Sequence, residues 1–329
     1  MNDLSRHVLS SAALALLAGC GGSQPPIGAP GAMLQSRAIA THADRGGSWM
    51  LPEARRDSSK AWLYVDDTVG NAVYIYQLNK HGASQIGKIT NGVDAPFAST
   101  VDDLGNLYVV NRVISGSVAV YAPGATSPSL VLTQDLTYPQ GVAVDGSGDV
   151  WVTNRSNSGP GIAVFPPGQN TPMAYITGNL IRYPLEDVFD QEGNLYFADA
   201  DTGVSEIPAG SQHPISLHLK GLRRNSAVGV ALSASGILYV DNYDPSRGHV
   251  YTTRVYMIGS PIPKATLKGH VAGYNMAAGD VGAKGAVFIP DWYSGNVYVY
   301  KDGRNASFET LKTASEGTGG VAFKPAEVP

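Results

Sequence analysis

The chain has 329 residues, of which 43% are hydrophobic and 15% are charged, with 39 glycines and 21 prolines. A formal net charge of -4 at pH 7 gives no basic excess for nucleic acid, and a single cysteine excludes a disulfide framework. Short β-branched and aromatic runs between clusters of Gly, Pro, Asn and Asp indicate an all-β protein. The length would allow two average domains, but closed all-β folds often use this much chain as one.

Residues 1–20 have the pattern of a signal peptide. The apolar run from Val8 to Leu17 is too short to span a bilayer as a helix but suits a signal-peptide core. Its end, Leu17-Ala18-Gly19-Cys20, resembles the lipobox of bacterial lipoproteins, which are cut before the cysteine and lipidated on it. The resemblance implies export and a lipid anchor on Cys20 as the membrane attachment, and Gly21 implies the outer membrane. A signal peptide with an incidental cysteine is the alternative.

Residues 21–58 begin with Gly, Ser and Pro and continue as polar, Arg-bearing sequence. Such a composition cannot bury a core and indicates a flexible tether. Within it, Trp49-Met50-Leu51-Pro52 is apolar enough to pack onto the edge of a domain. The folded domain is therefore predicted to span residues 59–329.

The rest of the chain repeats one pattern of strand, tight turn and strand, which is clearest from Pro139 to Asn154. Aligned on the turn residue Asp145, the copies recur about every 42 to 49 residues, the spacing of four-stranded propeller blades. Six copies have a second strand. These strands are Leu63 to Asp67, Leu107 to Asn111, Val150 to Asn154, Leu195 to Asp199, Leu238 to Asn242 and Val287 to Asp291.

The first copy lacks its first strand, and the last copy, Gly319 to Lys324, is only a first strand. The two fragments make one blade, so the C-terminal strand is predicted to join the first blade and close the ring. Closure shields sheet edges that would otherwise pair with other chains. The predicted fold is an all-β, six-bladed β-propeller of four-stranded antiparallel blades.

Three sequence elements resemble those of NHL-repeat and SMP-30/gluconolactonase-like six-bladed propellers. They are the Gly-Val-Ala-Val-Asp strand at 141–145, the Gly-Asn-Leu-Tyr turns at 105–108 and 193–196, and the Asn-Val-Tyr-Val-Tyr strand at 296–300. The resemblance covers most of the predicted domain and implies the six-bladed fold. It does not imply one function, because this fold hosts hydrolases, lyases, receptors and scaffolds.

Each second strand ends in Asp or Asn, which can cap a turn by bonding nearby backbone. The alternative is a ring of oxygen ligands for a hard cation. The SMP-30-like lactonases take a metal-binding Glu from the first blade's inner strand, but Gly319 to Lys324 contains no acid. Under this alternative, a divalent cation (Ca²⁺, Mg²⁺ or Zn²⁺) would be bound by Glu186, Asn111, Asn154 and Asp199.

Arg and aromatic residues follow these Asx positions and occur in the connections between blades, as is typical of recognition surfaces. Arg112 and Arg155 lie in neighbouring blades and could hold a carboxylate by paired hydrogen bonds. A solvated rim is the alternative. The predicted ligand-binding residues are Arg112, Arg155, Gln140, Arg182, Tyr243, His270, Asn275 and Trp292.

The sequence contains no convincing acid–base pair, Gly-x-Ser-x-Gly elbow or zinc spacing. It therefore predicts a lipid-anchored propeller of the cell envelope that binds a small molecule or an envelope protein at its axial mouth. No catalytic residue and no cofactor are expected. The alternatives are a divalent-metal-dependent hydrolase or lactonase of the SMP-30 type and a purely structural scaffold.

Overall fold

A computed structural model of the chain describes residues 47–56, 59–79, 82–156, 159–223, 226–244, 250–269, 274–281, 284–302, 304–307, 309–313, 315 and 317–326. The predicted signal peptide with Cys20, most of the predicted tether and His270 lie outside these residues. The described residues form β-strands joined by turns, with one 3-10 turn at Ala54–Arg56. Among them, no helix is long and apolar enough to cross a membrane.

The strands form six antiparallel sheets, the blades, whose inner strands contact one another in sequence. The inner strands are β5 (Pro96–Val101), β9 (Pro139–Val144), β13 (Pro184–Phe189), β17 (Ala227–Leu232), β21 (Ala277–Val281) and β25 (Thr318–Lys324). The second strands are β2 (Trp62–Asp67), β6 (Leu107–Asn111), β10 (Val150–Asn154), β14 (Leu195–Asp199), β18 (Ile237–Asp244) and β22 (Lys284–Pro290).

The outer half of each blade is a second antiparallel pair. The third strands are β3 (Ala72–Asn79), β7 (Ser117–Tyr121), β11 (Gly161–Phe165), β15 (Gly203–Ile207), β19 (Val250–Met257) and β23 (Val297–Lys301). The fourth strands are β4 (Gly82–Ile89), β8 (Leu130–Leu132), β12 (Ala174–Ile176), β16 (Ile215–Ser216), β20 (Ala265–Thr266) and β24 (Glu309–Leu311). In blades 2 to 6 the outermost strand has only two or three residues, so little unpaired edge is available to other chains.

The ring closes as predicted, because β25 pairs with β2 from Trp62 opposite Lys324 to Asp67 opposite Thr318. We number the blade that contains β25 and β2 as blade 1 and count the others in chain order. The upper face carries the connections between blades and those between second and third strands. The lower face carries the turns between first and second strands.

The hydrophobic core consists of clusters between neighbouring blades. Alternate residues of a strand face opposite sides of the sheet, so Tyr64 packs with blade 2 while Leu63 and Val65 pack with blade 6. The cluster between blades 1 and 6 also contains Phe288, whose ring stacks on Phe323 at 5.3 Å between centroids. Closure therefore involves side-chain packing on both faces of blade 1 as well as backbone pairing.

Blade 1 has a fifth strand, β1 (Trp49–Met50), which pairs with Lys88 and Gly87 of β4. Met50 is buried in the cluster between blades 1 and 2, and the 3-10 turn adds Ala54 to the same cluster. The folded structure thus starts before residue 59 and includes part of the segment predicted as tether. The apolar character of this short stretch explains its attachment to the edge of the sheet.

The turns of the lower face explain why the repeat is visible in the sequence. Asp145 Oδ1 accepts hydrogen bonds from the N–H groups of Ser147 and Asp149, and its Oδ2 accepts one from Trp151 Nε1 at 3.0 Å. Gly148 completes the turn with φ +83°, which favours glycine. Equivalent Asp residues receive tyrosine hydroxyls instead, in the pairs Asp102–Tyr108 and Asp190–Tyr196. The Asp–Gly signature therefore caps a turn.

One hairpin is longer than predicted. The second strand of blade 5 was predicted at Leu238 to Asn242, but it continues until Asp244 pairs with Val250 of the third strand. Tyr243 lies opposite Tyr251 in this extension, with 4.9 Å between the ring centroids. Aromatic cross-strand pairs stabilise such sheets, and this pair lies at the upper end of blade 5.

Candidate functional site at the upper face

In several blades the residue that follows the Asx position is held in place by the same backbone hydrogen bond. In blades 2, 3 and 4 its N–H donates to a carbonyl in the connection that enters the inner strand of the same blade. The bonds are Arg112 to Ala95 at 3.2 Å, Arg155 to Tyr138 at 3.2 Å and Ala200 to Tyr183 at 3.1 Å. The fold thus presents one variable side chain per blade beside the axis on the upper face.

The Asx side chains beneath these positions are buried and act as caps. Asp199 Oδ2 accepts the N–H groups of Arg182 and Tyr183 at 2.8 Å, and Oδ1 accepts those of Asp201 and Thr202. One carboxylate therefore joins the loop that enters blade 4 to the loop that follows its second strand. These contacts are the turn capping that was predicted as one role for the Asp and Asn residues at the ends of the second strands.

The alternative metal ligands are engaged in the same way. Asn111 donates from Nδ2 to the Gly92 carbonyl at 2.9 Å and accepts the Asp94 N–H at 2.8 Å, and Asn154 makes an equivalent pair of bonds. Glu186 lies on β13 and accepts the Val230 N–H at 2.6 Å. In the described part of the chain, no group of three or more His, Cys, Asp or Glu could hold a metal ion. A cation bound by Glu186, Asn111, Asn154 and Asp199 stays a prediction.

Aromatic side chains from blades 2, 4, 5 and 6 form one cluster on the upper face. Tyr274 contacts three of them, with centroid distances of 5.5 Å to Phe97, 5.6 Å to Tyr251 and 6.4 Å to Trp292. The hydroxyls of Tyr251 and Tyr274 share a hydrogen bond. We refer to this cluster as the aromatic mouth; its members are Phe97, Tyr183, Tyr243, Tyr251, Tyr274 and Trp292.

Two arginines lie over rings of the aromatic mouth. The Arg112 Cζ atom is 3.6 Å from the Phe97 centroid, and the Arg155 Cζ atom is 3.9 Å from the Tyr183 centroid. Burial lowers the pKa of Arg112, and the positive charge of Arg155 lowers it further. Tyr274 and Tyr183 act in the opposite direction and raise the pKa of Arg112. Within the described residues the one salt bridge joins Arg223 and Asp244, so neither mouth arginine has an acidic partner there.

Three other predicted residues lie at or beside this site. Gln140 is buried and donates to the Tyr138 carbonyl at 2.8 Å. Asn275 is also buried; its side chain donates to the Phe97 carbonyl at 2.7 Å, and its own carbonyl accepts the Val321 N–H. These bonds give both amides a structural role beneath the mouth, whereas Arg182 is exposed at its rim.

The predicted ligand-binding residues include two of the six members of the mouth, Tyr243 and Trp292; Phe97, Tyr183, Tyr251 and Tyr274 are not among them. Phe97 follows Pro96 at the position that Gln140 has after Pro139, and the repeat alignment could have indicated it. Tyr251 pairs with Tyr243 in the extension of the blade 5 hairpin beyond Asn242, which the repeat alignment did not predict. Phe97 and Tyr251 complete the mouth around Tyr274.

Exposed apolar side chains also occur on the upper face in three consecutive blades. Tyr293 of blade 6 is 64% exposed, Val69 of blade 1 is 56% exposed and Ile114 of blade 2 is 68% exposed. All three belong to loops between second and third strands. The exposed apolar side chains thus belong to blades 6, 1 and 2, whereas Arg112, Arg155 and Arg182 lie in blades 2, 3 and 4, whose upper connections also carry the exposed acids Asp94, Asp135 and Asp201.

Comparisons with known proteins agree with this architecture. A model of the NHL repeat matches residues 136–158, which contain β9, the Asp145 turn and β10. No curated protein sequence matches the chain. Among solved structures, a nidogen/laminin complex aligns with a TM-score of 0.66 and 16% identity, covering 82% of this chain and 100% of that one. A proposed 6-phosphogluconolactonase from Bacteroides fragilis aligns with a TM-score of 0.58 and 12% identity, covering 81% and 98%.

At these identities the structural similarity shows the fold alone. The chain is a six-bladed β-propeller that contains an NHL repeat. This combination supports a binding or scaffold module. The finer class must be argued from the residues of the upper face.

Proposed function

We propose that this protein is a binding module that recognises a carboxylate flanked by apolar groups, as on an acidic segment of a partner protein. The pair of guanidinium groups at Arg112 and Arg155 carries this proposal. Both lie over aromatic rings, and neither has an acidic partner within the described residues. Guanidinium groups bind carboxylates through paired, charge-assisted hydrogen bonds, so a carboxylate is the chemical group that complements this part of the mouth.

The apolar half of the upper face favours a peptide over a small free anion. Val69, Ile114 and Tyr293 expose apolar surface in the loops between second and third strands of blades 1, 2 and 6, and large exposed apolar patches are typical of interaction sites. Trp, Tyr and Arg are also the residues enriched among those that dominate binding energy at interfaces. A segment with an acidic side chain beside one or two apolar side chains would contact both halves.

The proposed location follows from the lipobox resemblance at Cys20. A lipid anchor would place the propeller in the cell envelope, on the outer membrane, with the tether giving it reach. Its partner would then be an envelope protein. The alternative ligand at the same site is a small molecule of that compartment that carries a carboxylate.

The test is a binding titration with an array of short peptides in which Asp or Glu alternates with Leu or Phe. We expect Arg112→Gln to weaken binding of the best peptide by about tenfold or more, because a charge-assisted paired contact is lost. Arg304→Gln makes the same charge change on the lower face and should leave binding unaltered. If no acidic peptide binds, or if both variants weaken binding equally, the proposal fails.

A metal-dependent lactonase of the SMP-30 type is the second candidate. It is favoured by Glu186, a buried carboxylate on an inner strand close to the axis. Hydrolysis of model lactones that stops with EDTA and with Glu186→Gln would support it. Absence of turnover with added Ca²⁺, Mg²⁺ or Zn²⁺ would remove it without affecting the peptide-binding proposal.

A further inference from the structure

Two tyrosine hydroxyls of the aromatic mouth share a hydrogen bond. Tyr251 lies on β19 of blade 5, and Tyr274 lies in the connection that enters blade 6. Their rings meet edge to face, with 5.6 Å between the centroids and 70° between the ring planes. Tyr251 is buried, whereas Tyr274 is partly exposed. Tyr274 is therefore the member of the pair that is more accessible to a ligand in the mouth.

Tyr274 lies beside Arg112, because both side chains contact the ring of Phe97. The Arg112 Cζ atom is 3.6 Å from the Phe97 centroid, and the Tyr274 centroid is 5.5 Å from the same point. Burial raises the pKa of Tyr274, whereas the nearby positive charge of Arg112 acts to lower it. An anion held by the Arg112 guanidinium would therefore lie close to the Tyr274 hydroxyl.

The pair contains two hydroxyl hydrogens, but the shared bond uses only one of them. Burial raises the pKa of both tyrosines, so both hydroxyls are protonated at neutral pH. The shared bond raises the pKa of Tyr251 further and acts to lower that of Tyr274, which is the effect expected when Tyr251 donates and Tyr274 accepts. In that arrangement the second hydrogen remains on Tyr274, where it can be donated to an acceptor in the mouth. An anion beside Tyr274 favours this arrangement, because it attracts that hydrogen.

We propose that Tyr274 is a further donor to the carboxylate that Arg112 and Arg155 bind, and that Tyr251 is the positioning residue that orients the Tyr274 hydroxyl. The inference rests on the proposed function and adds a specificity-determining residue to the same site. An ionised carboxylate accepts about four hydrogen bonds, so a hydroxyl can bind beside a guanidinium fork without displacing it. The bond from Tyr274 would be charge-assisted, and the bond from Tyr251 behind it would strengthen it, since linked hydrogen bonds polarise one another.

The added hydroxyl would increase the discrimination between carboxylates and carboxamides. A carboxylate only accepts hydrogen bonds, whereas the amide of Asn or Gln has one accepting oxygen and an NH₂ group that donates. With donors from Arg112, Arg155 and Tyr274 directed at the same group, the NH₂ of an amide would face a donor instead of an acceptor. A site built in this way rejects a ligand that leaves its polar groups unpaired. The mouth would therefore select Asp or Glu over Asn or Gln in a bound peptide.

The experiment compares the affinity of the full chain for the best acidic peptide and for the same peptide with each Asp or Glu changed to Asn or Gln. We expect Tyr274→Phe to weaken binding of the acidic peptide by about fivefold or more, and Tyr251→Phe by about two- to threefold. Binding of the amide peptide should stay the same in both variants, whereas the loss of a purely structural contact would weaken both peptides alike. Tyr298→Phe makes the same change on β23, in the cluster between blades 5 and 6, and should leave both affinities unaltered.

A second readout uses acetate as the probe, so it does not depend on finding a peptide. A carboxylate that accepts the hydrogen of a tyrosine changes the ultraviolet absorption of that tyrosine. We expect acetate to give a tyrosine difference spectrum in the wild-type chain and in Tyr298→Phe, and none in Tyr274→Phe.

The two readouts separate this inference from the proposed function. If the acidic peptide binds and Arg112→Gln weakens it, but Tyr274→Phe binds it as the wild type does, the inference is wrong and the proposed function stands. If no acidic peptide binds, the proposed function fails and the acetate titration decides. A spectrum that depends on Tyr274 then supports the donor role, and one that is absent or unchanged in Tyr274→Phe overturns it.

Discussion

The guanidinium carbon of Arg112 lies 3.6 Å from the centre of the Phe97 ring, and the two residues belong to the same blade. Phe97 is fully buried on the inner strand, while Arg112 follows the second strand and is held by its backbone bond to Ala95. The ring therefore orders the arginine before any ligand arrives. Ordering a long side chain in advance lowers the entropy lost on binding.

Arg112→Lys separates this planar, ordered group from positive charge alone. Lysine keeps the charge but lacks the guanidinium fork and its stacking plane. We expect the variant to bind the acidic peptide about five- to tenfold more weakly, at unchanged Tm, when titrated by fluorescence anisotropy. Arg304→Lys on the lower face is the matched control. Wild-type affinity in Arg112→Lys would mean that charge alone accounts for the binding.

Closure by β25 leads to a prediction on stability. Val321 is 1% exposed and packs between blades 1 and 6, so Val321→Asp would bury an unpaired carboxylate at the ring junction. The expected loss is about 3 kcal/mol or more in the free energy of unfolding, measured by urea denaturation. Val131→Asp, at a site 38% exposed on an outer strand, should lose less than about 1 kcal/mol. Equal losses would show that the junction is no more critical than an edge.

Asp66 gives stability a defined pH dependence. Burial raises its pKa to about 7, although the Ser99 hydroxyl donates to Oδ2 at 2.8 Å and favours the ionised form. The folded state holds this proton more tightly than the unfolded state. The loss of stability that comes from burying the ionised carboxylate is therefore absent below about pH 4, grows as pH rises and is complete above about pH 7.

Asp66→Asn removes that penalty while its amide oxygen can still accept the Ser99 hydroxyl. We expect it to raise the unfolding free energy by on the order of 2 to 4 kcal/mol at about pH 8 and by little at about pH 4. The measurement is urea denaturation at both pH values. Asp103→Asn, in an exposed turn, should change neither. A gain that is the same at both pH values would contradict this account.

The lipid anchor has a separate test. Cys20→Ala removes the acceptor thiol of the lipobox, so the chain should leave the membrane fraction, since an apolar anchor supplies most of the attachment. Cells expressing each form are fractionated, and the membranes are washed with high salt. Retention of the variant to the wild-type extent would argue against lipidation. Ser23→Ala, three residues further on, is the control and should stay in the membrane fraction.

Much of the fold could be predicted because each blade repeats local chemistry. The turn cap at Asp145 and the glycine after it must recur wherever the same turn recurs, so alignment on that position located β6, β10 and β14 correctly at both ends. Closure was predictable because the first copy lacks its first strand and the last copy is only a first strand, which leaves a single consistent pairing. The resemblance to SMP-30-like lactonases, in contrast, stays a prediction.

The site was harder to predict because it depends on contacts between blades. The aromatic mouth combines Phe97 and Tyr274, which are far apart in the sequence and meet through the curvature of the ring. The lack of a hydrogen-bond partner for the Asp187 carboxylate among the other described residues depends on contacts between blades, and a repeat alignment does not contain that information. Arg112 and Arg155 were identifiable because each follows an Asx position in its own repeat.

The capping role of Asp199 can be tested against the alternative role of a metal ligand. Its carboxylate accepts four backbone N–H groups, so Asp199→Ala would leave several buried donors without partners. We expect a loss of about 2 to 4 kcal/mol in the free energy of unfolding, equal in EDTA and in excess Ca²⁺. Asp201→Ala, at an exposed position in the same loop, should lose less than about 0.5 kcal/mol. A loss that appears only when metal is present would identify Asp199 as a ligand, since backbone capping acts without an ion.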